Sequence, residues 1–312
     1  MGGKIPGIGC DVHISEADGP PAVHPRNTLN DLSGREWIKF TKSWLVCDSR
    51  RYFKNRDTEL HPARYPEELV AEFIRFFTKR GGWVLDPFCG SGATLVAALE
   101  EGRNAVGLEI SERYVEMTRK RIAAVVRELG GHARVIRADA REIADARTWR
   151  GIDHVPQSEH GLPHFDFIMT SPPYWNMLRT SRGGVESTHK RRAKQGLDTD
   201  YGDDPNNLGR IEDYRQFIEA VGEVFDGCAR LLKPGKYLVI VAQNVRVPEG
   251  FVRPLAWDLA ERVGRTLSFQ GERIWCQDSK SLGIWGYPTT FVPNYHHHYC
   301  LIFRKPRPGD SR

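Results

Sequence analysis

The sequence predicts a mainly parallel, doubly wound α/β sheet, and three observations predict it. Short apolar runs of β-formers alternate with stretches of helical periodicity, the order that builds a parallel sheet covered on both faces. A glycine turn, Gly90-Ser91-Gly92, separates the first clear strand from the helix after it. Acidic residues, Asp86, Glu109 and Asp139, fall at or just beyond the ends of three successive strands. The 312 residues suffice for one large domain or two small ones, with a sizeable core.

The first stretch, to about Asn30, is rich in Gly and Pro without periodicity, and residues 1–34 are assigned to a partly disordered arm. Trp37, Phe40 and Trp44 recur at helical spacing, so Ser33 to Leu45 is expected to be a short docking helix capped by Ser33. His61 to Pro66 opens a clearer helix, whose Leu69, Phe73, Phe76 and Phe77 share a face as far as Thr78. Trp83 to Leu85 then reads as a buried strand, Ala93 to Leu99 as the start of a helix, and Asn104 to Glu109 as a second strand. Ser111 is expected to cap a helix running to Leu129, followed by strands at Ala133 to Ile136 and Phe165 to Met169. Beyond a polar stretch come a helix from Asp213 to Leu232, a turn at Lys233-Pro234-Gly235 and a strand from Tyr237 to Val241. A helix over Phe251 to Val263 and strands near Leu267 to Cys276 and His298 to Phe303 close the catalytic domain assigned to residues 35–312. Residues 176–210 and 277–294 read as inserted loops within it.

Composition narrows the class. Apolar residues make up 40% and charged residues 27%, ordinary for a globular protein, and the net charge of +5 suits a polyanionic partner without demanding one. The longest apolar run, Tyr237 to Ala242, is too short to span a bilayer, and Met1 to Cys10 lacks a signal-peptide pattern. Six scattered cysteines contain no C-x-x-C pair, and the adjacent His296, His297 and His298 do not share a helical face, so no metal site is expected. Such cysteines fit a reducing, cytoplasmic location.

Three segments carry chemistry. Asp86-Pro87-Phe88-Cys89-Gly90-Ser91-Gly92 lies where open α/β sheets bind ligands, and its glycines allow a close backbone approach. It lacks the Lys-Ser/Thr of a phosphate-binding P-loop. Glu109, about twenty residues on, stands where an acidic residue reaches ribose hydroxyls. Asp139 could accept from an adenine amino group. Each of Asp86 and Asp139 taken alone could equally be a cap or turn former. In Ser171-Pro172-Pro173-Tyr174 a strand runs into a rigid corner. Two prolines remove backbone donors there, leaving a hydroxyl, free carbonyls and an aromatic face for a flat ring with an NH₂ edge.

Asp-Pro-Phe-Cys-Gly-Ser-Gly at 86–92 with Ser-Pro-Pro-Tyr at 171–174 resembles the N4-cytosine and N6-adenine (amino) DNA methyltransferases, SPPY type. The His61 to Pro66 segment resembles the family stretch that closes over the methionine end of S-adenosyl-L-methionine (AdoMet), and Tyr299 to Lys305 its last strand. The resemblance covers roughly Arg35 to Pro306. It implies a Rossmann-like AdoMet-dependent methyltransferase fold with an antiparallel last strand. It also implies AdoMet at Pro62, Asp86, Phe88, Gly90, Ser91, Gly92, Glu109, Ile110, Asp139 and Ala140, and transfer at Ser171, Pro172, Pro173 and Tyr174. Ser in the first position implies cytosine N4 as acceptor, with adenine N6 open. The cofactor loop precedes Ser-Pro-Pro-Tyr here, whereas in many relatives with this style of loop it follows.

The expected substrate is double-stranded DNA whose target base is flipped out. Ser171 Oγ and the Pro172 carbonyl would accept the amine hydrogens and Tyr174 would stack on the base. No Pro-Cys pair is present to form a covalent adduct. Trp175, Arg182, Lys190, Arg191, Arg192 and Lys194 are the expected nucleic-acid contacts. A restriction endonuclease acting on the same site is a candidate partner, and the chain is expected to be a monomer or homodimer. Competing readings are an RNA cytidine N4-methyltransferase, a glutamine-amide methyltransferase, against which Ser171 argues because those enzymes carry Asn there, and a non-catalytic nucleic-acid-binding module.

Overall fold

The computed structural model describes residues 22–48, 65–152, 154–175, 204–247, 249–280 and 282–310. Its core is an eight-stranded sheet in the order β1-β9-β10-β6-β5-β2-β3-β4. The strands are β1 Trp44–Val46, β2 Trp83–Asp86, β3 Asn104–Glu109, β4 Ala133–Arg137, β5 Phe165–Thr170, β6 Leu232–Ala242, β9 Ser268–Cys276 and β10 His297–Arg304. A separate hairpin pairs β7 Val245–Arg246 with β8 Val252–Arg253. β10, the last strand, is antiparallel to both neighbours, and the other pairings in the large sheet are parallel. This is the doubly wound sheet with an antiparallel last strand that the sequence predicts.

The helices are α1 Gly34–Phe40, α2 Glu67–Phe77, α3 Ala93–Glu100, α4 Glu112–Leu129, α5 Tyr214–Leu231 and α6 Leu255–Gly264. Strand alternation explains how both faces acquire a core. In β5, Ile168 joins the cluster with α5 and α6 while Phe167 and Met169 join the cluster with α2, α3 and α4, and the register shift between Phe165 and Phe167 puts Phe165 on the side of Ile168. Order reverses between β2 and β5: β3 and β4 lie to one side of the pair, β6 and β10 to the other. Ligands of open α/β sheets bind at the carboxyl ends of strands at such a switch point. Here those ends are Asp86 and Thr170.

Several boundaries differ from expectation for identifiable reasons. The first helix carries the expected Ser33 cap, a full capping box with Glu36, but stops at Phe40. Trp44–Val46 instead extends the sheet beside β9, satisfying its backbone there. Residues 22–34 of the expected disordered arm are docked: Asn30 is wholly buried and its Nδ2 donates to the Phe76 carbonyl at 2.6 Å. The rest of the arm, residues 1–21, lies outside the described residues, as do residues 61–64. The helix expected from His61 has Pro66 as its N-cap and begins at Glu67. The helix expected from Phe251 begins only after Pro254, because Val252–Arg253 pairs in the hairpin. Lys233-Pro234-Gly235 is not a turn between elements but an irregularity inside β6, with Gly235 at φ +78° and a register shift against β5. Among the described residues no helix is long and apolar enough to cross a membrane.

Candidate active site

Asp86 ends β2 fully buried, 1% exposed, directly beneath the glycine turn. Four donors converge on it. Thr170 Oγ1 at 2.6 Å and the Phe88 amide at 3.1 Å bond Oδ1; Thr94 Oγ1 at 2.5 Å and Tyr65 OH at 3.0 Å bond Oδ2. Burial raises the carboxyl above its ordinary range, and these bonds oppose the rise by favouring the charged form. Asp86 therefore locks the ends of β2 and β5 to the start of α3 and does not itself line the open cleft.

The glycine turn is shaped from below as well. Gly92 lies at φ +81°, and a Cβ there would meet Thr118 Cγ2 at 2.6 Å, so only glycine fits. Thr118 Oγ1 donates to the Gly90 carbonyl at 2.9 Å. The Arg121 guanidinium holds the Ser91 carbonyl. Gly90, Ser91 and Gly92 thus form the floor of the turn rather than the wall of the cleft.

That wall is made of Pro87, Phe88, Leu108, Glu109, Ile110, Tyr114, Ala138, Asp139, Ala140, Ser171, Pro173, Asn207 and Leu208, around a cavity of about 70 Å³ that opens to solvent. Phe88, Glu109, Ile110, Asp139 and Ala140 are brought together as the sequence predicts, and Ser171 and Pro173 share their cleft. Glu109 Oε2 accepts from the Gly90 amide at 2.9 Å and Oε1 from the Ser111 amide at 2.8 Å. Burial nevertheless pushes its carboxyl up to about 7, against the pull of those amides. Asp139 lines the cleft while also acting as the turn former the alternative reading allows. Its Oδ1 accepts from the Arg141 amide at 2.9 Å, and its Oδ2 pairs with Arg141 Nη2 at 2.5 Å.

At the Ser-Pro-Pro-Tyr corner, Ser171 Oγ donates to Tyr174 OH at 2.9 Å, and Tyr174 OH donates to the Val241 carbonyl at 3.2 Å. The serine hydrogen is thereby committed, leaving its lone pairs as acceptors. Tyr174 is only 4% exposed, with its ring 6.1 Å from His298. His298 in turn stacks on Trp275 at 4.6 Å, and burial lowers the imidazole to about 3. Trp175, expected to touch nucleic acid, is instead buried. Its Nε1 donates to the Ile211 carbonyl at 3.1 Å and its ring meets Tyr214 edge-on at 5.2 Å. Its left-handed φ of +50° turns the indole back into the fold.

Pro62, Arg182, Lys190, Arg191, Arg192 and Lys194 lie outside the described residues. Sequence reasoning missed Asn207 and Leu208, which end the stretch assigned to target recognition yet line the cleft. The Asp-Pro-Asn-Asn run before Leu208 marks a turn, with nothing in it to say where that turn docks. It also missed Tyr65, Thr94 and Thr170, lone hydroxyls distant in sequence that meet only at Asp86.

Type II methyltransferase M.BglI of Bacillus subtilis is 38% identical over 95 residues, 30% of this chain and 26% of that protein. Type II methyltransferase M.MthZI of Methanothermobacter thermautotrophicus is 36% identical over 110 residues, 33% of this chain and 31% of that protein. The matched stretches thus span about a third or less of those relatives' lengths. Among solved structures, TrmN from Thermus thermophilus aligns with a TM-score of 0.43 at 16% identity, covering 77% of this chain and 48% of that one. A TehB-like SAM-dependent methyltransferase from Corynebacterium glutamicum aligns at 0.39 and 15%, covering 78% and 89%. The family model N6_N4_Mtase, described as DNA methylase, matches residues 24–120 and 165–311, both sides of the switch point and the whole of the corner. The chain belongs to this N6/N4 DNA methylase family.

Proposed function

We propose that this chain methylates the exocyclic N4 of cytosine in DNA, with the target base flipped out of the duplex. The observation that carries the reading is the shared cleft: Ser171 and Pro173 stand on the same wall as Glu109, Ile110 and Asp139. The residues fit AdoMet. Phe88, Ile110 and Leu208 offer apolar surface for a purine, and the Glu109 carboxyl suits a pair of ribose hydroxyls. When bound, AdoMet supplies an electrophilic methyl group on a sulfonium.

An exocyclic amine conjugated with its ring is a weak nucleophile. Ser171 Oγ, its hydrogen engaged by Tyr174, accepts one amine hydrogen. The Pro172 carbonyl accepts the other. Both bonds turn the nitrogen towards a pyramidal shape and aim its lone pair into the cleft, an orientation effect worth several kcal/mol of barrier lowering. The Ser171–Tyr174–Val241 chain holds the serine oxygen still while this happens. The names of the matched relatives, Type II methyltransferases, support pairing with a restriction endonuclease of the same specificity.

The test is incubation of the chain with methyl-labelled AdoMet and either duplex DNA or RNA, followed by digestion and nucleoside mass spectrometry. N4-methylcytosine in the DNA is the expected product. N6-methyladenine would overturn the serine-to-cytosine step, label confined to RNA would overturn the substrate, and no transfer to either would overturn the activity.

A further inference from the structure

Arg253, on β8, lies between two aromatic rings, with its guanidinium 4.9 Å from the Tyr214 ring centre and 4.8 Å from that of Phe251. Its Nε is buried and has no hydrogen-bond partner. Among the described residues neither Arg253 nor Arg246, on the other strand of the hairpin, forms a salt bridge. The nearby carboxylate Asp258 is taken by the Tyr214 hydroxyl. Nε itself is closed to solvent, so an acceptor arriving from outside meets the other N–H groups of this half-buried guanidinium. A guanidinium flattened against aromatic faces is already oriented for the fork geometry of a phosphate. Tyr214 also meets Trp175, the residue after the catalytic corner, so the arginine stands one ring away from that corner.

The hairpin leads through Pro254 into the first turn of α6, which carries Trp257 at 59% exposure. Trp257 meets Tyr299 at 6.3 Å, Tyr299 meets His297 at 5.1 Å, and His297 meets Tyr295 at 6.0 Å. Alternation along β10 explains the row, since odd-numbered residues share one face. Further down that face Leu301 and Phe303 are buried in the α5–α6 core. The face therefore passes from core to a rim of partly exposed rings. Burial holds the His297 imidazole below its ordinary range, so it stands there as a neutral flat ring.

We propose that this rim is a track for single-stranded nucleic acid beside the base pocket, with Arg253 taking a phosphate and Trp257, Tyr299 and His297 stacking on unpaired bases. The proposal rests on the nucleic-acid reading above. A cationic contact followed by a row of rings is how sequence-tolerant strand binding is built. A peptide partner would use the rings but leave unexplained two arginines that form no salt bridge among the described residues.

The experiment is fluorescence anisotropy of the full chain with a labelled single-stranded oligonucleotide, read across salt concentrations, with AdoMet affinity measured alongside. Arg253→Met is expected to weaken oligonucleotide binding about tenfold and lower the salt slope by about one. Trp257→Ala, at an exposed site that the fold does not need, is expected to weaken it about five- to tenfold at every salt concentration. Both variants should keep wild-type AdoMet affinity. Wild-type oligonucleotide binding and salt slope in both variants would overturn the track and leave the methylation reading standing. A wild-type chain that binds no single-stranded oligonucleotide would overturn the track, while methyl transfer to duplex DNA tests the methylation reading on its own.

Discussion

At the ends of β2 and β3 the buried polar groups are partnered, whereas at β8 and β10 the buried Arg253 Nε and His298 Nδ1 have no partner. Asp86 has four donors and Glu109 two backbone amides. On the separate hairpin and in α6, Arg253 Nε has none and Trp257 is more than half exposed. On the proposed reading, the cofactor side is organised before any ligand arrives and the nucleic-acid side keeps contacts open for its partner. A site that must hold one small molecule in one pose gains from rigidity, because little ordering remains to be done on binding. A surface that meets a large polyanion of varied sequence gains from contacts that the polyanion itself completes.

The contrast can be broken most severely at Asp86. Asp86→Ala removes the acceptor shared by three buried hydroxyls and an amide and leaves Thr170 and the Phe88 amide without it, so it should lower unfolding free energy by about 3 kcal/mol and abolish AdoMet binding, read by denaturant titration and calorimetry. Lost affinity at unchanged stability would make Asp86 a direct ligand instead of a scaffold. Ser171→Ala should come next, lowering turnover about a hundredfold while AdoMet affinity stays put, as when one preorganised transition-state hydrogen bond is removed. Undiminished turnover would strip Ser171 of its chemical role.

Glu109 supplies a pH test. With its carboxyl pushed up to about 7, it is ionised above that value and protonated below. The ionised form accepts ribose hydroxyls better, so AdoMet affinity should fall about tenfold from about pH 8 to about pH 6, and Glu109→Gln should flatten the profile. A flat wild-type profile would mean that Glu109 serves only the Gly90 and Ser111 amides. The smallest effect is expected at Tyr174→Phe, which keeps the ring and removes the hydroxyl that fixes Ser171. Turnover should fall about fivefold, the worth of one modest hydrogen bond. Wild-type turnover would show that the ring alone matters.

The sequence reading was accurate where pattern is local. Asn104–Glu109 has the expected bounds because a short apolar run sits between a glycine turn and a helix. Phe88, Glu109, Ile110 and Ala140 reach the cleft because their positions follow from strand ends alone. What escaped depends on partners far along the chain. Trp44–Val46 has three residues and no period of its own; only the free edge of β9 makes it a strand. Phe251 to Arg253 continues the apolar pattern of the helix behind it, and Pro254 with the hairpin decides otherwise. The hydroxyls around Asp86 carry no spacing signal, and Trp175 looks like an exposed aromatic until its φ is known.

Strand β1 has a consequence for how the molecule is made. The Arg273 guanidinium bonds the Lys42 carbonyl across 231 positions, and Trp275 Nε1 bonds the Cys47 carbonyl across 228. During synthesis the segment at Trp44 must wait for nearly the whole catalytic unit before its pairing partner leaves the ribosome. Until then β1 has no strand to pair with, and unpaired strands recruit neighbouring chains. A fusion or truncation that ties down residues 42–47 should therefore show itself first as aggregation during expression, before any loss of methyl transfer in the soluble fraction.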